Sequence, residues 1–142
     1  MKKIILMLAI MGLITVSYAQ TLTPNDIPAK ISTSFERSHP KISPVEWSKV
    51  GDDYKASYVV KDKNMAVVYN VSGKLIETEK EISISQLPTP VLKYVNDNFP
   101  GEVVKKKVLI TSAKGKSSYE LQINQQDLAF NSQGKLLPPE TK

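Results

Sequence analysis

Apolar residues at four-residue spacing occur twice along the chain, each time followed by shorter stretches of strict alternation. Ile27, Ile31 and Phe35 make the first stripe, and Leu87, Val91 and Val95 the second. That spacing lines one narrow face of an α-helix. Asn25 or Asp26 stands where it can cap the first helix, and Ser85 where it can cap the second. Pro28 and Pro88 fall in the first turns, where a missing N–H costs nothing. Pro40 and Pro100 push the residues before them out of helical geometry, so the helices are expected to stop near Ser38 and Asn98.

Alternation then takes over. Tyr119, Leu121 and Ile123 fall on one side of an extended chain, and Glu120, Gln122 and Asn124 on the other. Leu128 and Phe130 continue the apolar side. Turn residues separate the runs: Gly51-Asp52-Asp53, Lys61-Asp62-Lys63-Asn64 and Val71-Ser72-Gly73, then Lys114-Gly115-Lys116, Asn124-Gln125-Gln126-Asp127 and Ser132-Gln133-Gly134. Short strands at this spacing make an antiparallel meander of hairpins. Gly73 and Gly134 are expected in left-handed turn positions.

The two halves are copies of one pattern. Ile27-Pro28 returns as Leu87-Pro88, His39-Pro40 as Phe99-Pro100, and Tyr69-Asn70-Val71-Ser72-Gly73-Lys74-Leu75 as Phe130-Asn131-Ser132-Gln133-Gly134-Lys135-Leu136. Tyr54 matches Tyr119, which requires residues gained in one loop and lost in another. The expected fold class is therefore α+β: a tandem repeat of one helix plus a four-stranded antiparallel meander, over about 26–82 and 86–138, with both helices packed on one face of the sheet. Transfer through the repeat puts Tyr54, Ala56, Tyr58, Met65, Val67 and Tyr69 on the core face. Lys55, Ser57, Val59, Ala66, Val68 and Asn70 go to the outer face, which is thus more apolar in the first unit than in the second. Trp47 matches Lys107 in the repeat, and the same outer face is expected for it, with Val45 and Lys49 beside it; packing in the core is the alternative.

The chain opens with Met1-Lys2-Lys3, an apolar run from Ile4 to Val16, and Ser17-Tyr18-Ala19-Gln20. A basic start, a short apolar stretch and small residues before a cleavage point form a secretory signal, cut after Ala19. The run is shorter than the roughly 20 residues that span a bilayer as a helix, and no later run approaches that length. An uncleaved anchor is the alternative. Residues 20–142 are then one domain, periplasmic or secreted. The formal charge of +5 includes Lys2 and Lys3, so the exported part is only mildly basic, and a nucleic-acid partner is not expected. The chain has no cysteine, so burial and sheet pairing must hold the fold.

Catalytic chemistry does not assemble from these residues. The single histidine, His39, lies opposite Phe99 in the repeat and is explained by packing at a helix end. With one histidine and no cysteine, neither a Cys-His pair nor a clustered zinc site can form. Glu77, Glu79 and Glu81 share one strand face, read as a solvated edge with a weak cation site as a distant second. Asp52-Asp53 reads as a turn, and Asn70-Val71-Ser72 as a glycosylation tripeptide inside a tight turn. Lys105-Lys106-Lys107 is the one basic run; regular alternation puts Lys105 and Lys107 on one face, either as a charged edge that discourages aggregation or as an attraction for acidic partners or an anionic envelope surface. No enzyme, cofactor or metal is expected.

The helix ending in His39-Pro40 or Phe99-Pro100, the early-strand Trp47, and the Tyr/Phe-Asn-x-x-Gly-Lys-Leu hairpin resemble the PepSY-like family of exported bacterial domains, similar in fold to β-lactamase-inhibitor protein. The resemblance runs from about Asp26 to Leu137. It implies tandem helix-plus-sheet units with an open sheet face available to a protein partner, but it carries over no inhibitory contact residues. Lys107, where the first unit has Trp47, departs from a two-fold pattern. The expected function is an exported, non-enzymatic binding module whose partner is another envelope protein. Trp47, Val59, Val68, Lys105 and Lys107 are the candidate partner-binding residues. Self-association into an envelope structure is the alternative, and a small-ligand carrier a more distant one.

Overall fold

Every strand among the described residues joins a single antiparallel sheet in sequence order. The computed structural model describes residues 21–139. The expected signal segment and its expected cleavage after Ala19 lie outside the described residues. The strands are β1 (Thr21–Leu22), β2 (Glu46–Val50), β3 (Asp53–Val60), β4 (Lys63–Tyr69), β5 (Leu75–Glu81), β6 (Val104–Ser112), β7 (Ser117–Ile123) and β8 (Gln126–Asn131). The helices are α1 (Ala29–Ser38) and α2 (Thr89–Asn98), which end at the residues their following Pro steps dictate. Their starts differ from the expected caps. Thr23 and Ser83 each begin a one-turn 3-10 helix, at Pro24–Asp26 and Ile84–Gln86. The Asp26 carboxylate accepts from the Thr23 N–H at 2.8 Å and hydroxyl at 2.7 Å, and Gln86 Oε1 accepts from the Ser83 N–H at 3.0 Å. Pro28 and Pro88 then sit at the N-cap in extended geometry, which separates this capped turn from the helix proper.

The sheet registers reproduce the repeat pair by pair. Thr21 faces Ser48 as Glu81 faces Val108. Lys49 faces Tyr54 as Leu109 faces Tyr119, and Tyr54 faces Tyr69 as Tyr119 faces Phe130. The β2–β3 hairpin is thus shorter than β6–β7, and β3–β4 longer than β7–β8, which are the gain and the loss that the Tyr54–Tyr119 match requires. The strand count differs from expectation. Four strands follow α1 but only three follow α2, where an isolated bridge between Phe130 and Leu136 stands in for the fourth. In register, β5 is to α2 what β1 is to α1.

Two apolar clusters hold the helices to the sheet. Ile27, Ile31 and Phe35 pack with Trp47, Tyr54, Ala56, Tyr58, Val67 and Tyr69. Leu87, Val91 and Val95 pack with Val104, Leu121, Ile123 and Phe130. Both lie on the same face. Val67 pairs with Thr78, Thr78 with Thr111, and Leu109, two residues before Thr111 on β6, packs into the second cluster. The first cluster is aromatic: Phe35 meets Trp47 and Tyr58 edge-on, at 5.5 Å and 5.7 Å between ring centres, and His39 stacks on it at 4.7 Å. His39 is therefore a packing residue at the α1 C-terminus, where its N–H bonds the Phe35 carbonyl. Among the described residues, no helix is long and apolar enough to cross a membrane.

Candidate protein-binding groove

The face away from the helices carries Glu46 on β2, Lys55, Ser57 and Val59 on β3, and Asn64, Ala66 and Val68 on β4. Glu77, Glu79 and Glu81 on β5 and Lys106 and Val108 on β6 continue it. Cross-strand pairs fix this row by row: Glu46–Ser57, Ser57–Ala66 and Ala66–Glu79 in one, Lys55–Val68 and Val68–Glu77 in the next. Among the described residues no helix covers it, yet Ala66, Val68 and Val108 are buried. The Lys55 ammonium reaches over β4 to the Glu79 carboxylate at 2.6 Å. Because Lys55 faces Val68 and Glu79 faces Ala66, the bridge and its aliphatic stems lie across these two small apolar residues.

Beyond that bridge, toward the β3–β4 turn, the open face forms a groove of about 650 Å³. It spans five strands: Glu46 comes from β2, Val59 from β3, Asn64 from β4, Glu81 from β5 and Lys106 from β6. Glu81 is fixed by two hydrogen bonds from Asn64, its N–H at 3.1 Å and its side-chain amide at 2.6 Å. The backbone N–H bond first, then the amide bond, hold the Glu81 carboxyl below the usual carboxylate range, with Lys63 and Lys107 adding to the effect. It therefore stays ionised to lower pH than a free carboxylate.

The β6 wall is shaped by a β-bulge. Val104 faces Ile123 and Lys106 faces Gln122, so Lys105 is one residue too many for its partner strand. Alternation is out of phase on the two sides of the bulge. Val104 and Lys107 both take the helix-face register, while Lys106 takes the open face. The expected sharing of one face by Lys105 and Lys107 is thus corrected. All three lysines line the groove.

Of the candidate residues, Val59, Lys105 and Lys107 line this groove, and Val59 is 61% exposed. Val68 is on the open face as expected but only 4% exposed, because Lys55 and Glu79 cover it. Trp47 is a correction. It pairs with Ala56 on β3 and Leu22 on β1 and packs on Phe35, so it belongs to the helix side. Its match to Lys107 was sound; the face assigned to both positions was not, since Lys107 pairs with the core residue Leu121. Val45 and Lys49 go with it, Val45 against the first cluster and Lys49 over the Tyr54 ring at 4.0 Å. The glutamate row is not an edge either, because β5 lies between β4 and β6 in mid-sheet. Sequence reasoning missed Lys55 and Glu79 as a pair; their shared face was visible, but the distance between two strands not adjacent in the sheet was not.

The sequence matches the family described as beta-lactamase-inhibitor-like, PepSY-like, over residues 14–77 and again over 52–138. The chain belongs to the PepSY-like family. Two matches to one family description agree with the internal repeat. None of the curated proteins matches the sequence. Among solved structures, a protein from Bacteroides eggerthii described as periplasmic superposes with TM-score 0.69 at 16% identity, over 78% of this chain and 86% of that one. A DUF2874 family protein from Bacteroides ovatus gives 0.66 at 22%, over 78% and 84%. A BLIP-like protein from Bacteroides fragilis gives 0.60 at 22%, over 82% and 85%. These likenesses are of fold.

The Lys55–Glu79 bridge gives this PepSY-like sheet a testable strut. Lys55→Met keeps the stem over Val68 but leaves the Glu79 carboxylate, 16% exposed, without its cation. The expected cost is about 1–2 kcal/mol in urea unfolding, with Glu79→Gln on the same chain recovering part of it. No change in either variant would mean that solvent already screens the pair.

Proposed function

We propose that this chain is an exported, non-enzymatic binding module, residues 20–142 forming one domain after cleavage at Ala19, which holds a protein partner in the groove of its open sheet face. The observation that carries the reading is the groove itself. Both helices are spent on one face, and the other presents a groove of about 650 Å³ with Val59 and Val108 among charged side chains. Mixed apolar and charged lining suits a protein segment, and exposed apolar surface in such a setting marks interaction sites. The signal-like start and the description of a fold relative as periplasmic support an envelope location. The scaffold is shared with a BLIP-like protein; inhibition of a β-lactamase is not part of the proposal.

A photo-crosslinking residue at position 59 tests it, with position 36 on the exposed side of α1 as the control. In cells, position 59 is expected to capture a partner that position 36 does not. The partner, once purified, should bind the parent and fail to bind Val59→Asp. At an exposed site that substitution changes stability by no more than about 0.5 kcal/mol. Capture from both positions would remove the groove from consideration. Crosslinking to its own chain alone would replace the partner with self-association.

A further inference from the structure

Resting on the groove as a protein-binding site, the geometry points to the chemistry of its occupant: an extended protein segment whose carboxylates face the β6 wall and whose apolar side chains lie over Val59. The charges in the groove are not balanced evenly. Lys55 and Glu79 satisfy each other at 2.6 Å. Glu81 is held by Asn64 and lies in the field of Lys63 and Lys107. The remaining acid, Glu46, is on the opposite wall. Strands are about 4.8 Å apart, so β2 stands four spacings from β6 along the sheet.

The basic wall has cations to spare. Lys105 makes no ion pair or hydrogen bond among the described residues. Lys106 meets Glu120 at 3.2 Å with both side chains nearly half exposed, a contact worth little and easily exchanged. Lys107 is tied to the Val104 carbonyl at 2.9 Å. The bulge at Lys105 leaves Lys106 in the open-face register and Lys107 in the helix-face register, yet all three lysines contribute to the groove's lining, and bulges commonly re-aim side chains at functional positions. Val59, largely exposed, supplies apolar contact for the rest of the segment.

Fluorescence polarisation with the full mature chain provides the test. The probe is a labelled hexapeptide carrying Val and Phe followed by three glutamates, compared with its glutamine analogue. The glutamate peptide is expected to bind about tenfold more tightly at low salt, with the advantage shrinking as ionic strength rises. Lys105→Gln/Lys106→Gln should erase the difference while leaving the melting temperature in place, since both side chains are exposed. Equal binding of the two peptides by the parent, or discrimination that survives in the double variant, overturns the proposal. So does binding to phosphatidylglycerol vesicles that depends on these lysines in the absence of peptide discrimination, which would assign them to a membrane surface. If position 59 crosslinks a partner whose capture the lysine variant leaves untouched, the groove stands as the binding site and only the acidic segment falls.

Discussion

Trp47→Ala is expected to cost about 3–5 kcal/mol of folding stability, the range for removing a large buried aromatic side chain. Domains of this size have about 5–15 kcal/mol in total, so the urea midpoint should fall by a large fraction of its value. The reason is local. Trp47 is 8% exposed, is the second residue of β2, and closes the aromatic cluster against Phe35 on α1. Its ring also forms part of the surface on which Leu22 of the two-residue β1 packs. Removing it opens a cavity at the sheet edge and loosens the first strand together with the helix. Trp47→Phe should restore most of the loss. An unchanged midpoint for Trp47→Ala would show that the indole is not part of the core, and would return it to the binding surface.

The same residue shows how far the sequence reaches. Apolar spacing located both helices, and Pro40 and Pro100 located their last residues by forcing the residue before each out of helical geometry. The repeat also carried the correspondence: Tyr54 matches Tyr119 and Tyr69 matches Phe130, and the sheet pairs Tyr54 with Tyr69 just as it pairs Tyr119 with Phe130. What periodicity cannot count is an inserted residue. One bulge at Lys105 reverses the phase of β6, and a face assigned to Lys107, and through it to Trp47, reverses too. Val68 was legible as an outer-face residue but not as a covered one, since its shield comes from β3 and β5 through the Lys55–Glu79 bridge. The groove was only partly visible for the same reason. Val59, Lys105 and Lys107 stood out by type, whereas Glu46, Asn64 and Glu81 join them through the succession of strands across the sheet.

Substituting alanine for Gly134 or Gly73 is expected to cost about 2–4 kcal/mol, and the two losses should add. Each glycine closes the turn of a Tyr/Phe-Asn-x-x-Gly-Lys-Leu hairpin at φ +78° and +80° respectively. In both turns the asparagine side chain organises the loop. Asn70 Oδ1 accepts from the N–H groups of Ser72 and Lys74 at 3.0 Å each, and Asn131 Oδ1 from Gln133 and Lys135 at 3.1 Å and 2.9 Å. A side chain at such φ costs about 1–2 kcal/mol by itself. The rest comes from the helices. A Cβ on Gly134 would stand 2.8 Å from Pro90 Cβ and 3.2 Å from the Val91 nitrogen, and one on Gly73 would stand 2.9 Å from the Lys30 carbonyl oxygen. These contacts involve the first turns of α2 and α1, so the neighbour that must yield is helix backbone or a ring fixed to it. Gly115 separates the two terms, because it has φ +78° with nothing within 4 Å of its Cβ position. Gly115→Ala should therefore lose only the conformational part, about 1–2 kcal/mol. If all three substitutions cost the same in parallel urea titrations, the close approach of turn to helix is not a constraint. If Gly73→Ala and Gly134→Ala exceed Gly115→Ala by a similar margin, one packing solution holds each helix to its three-stranded support in both repeats, and the open face is free to diverge.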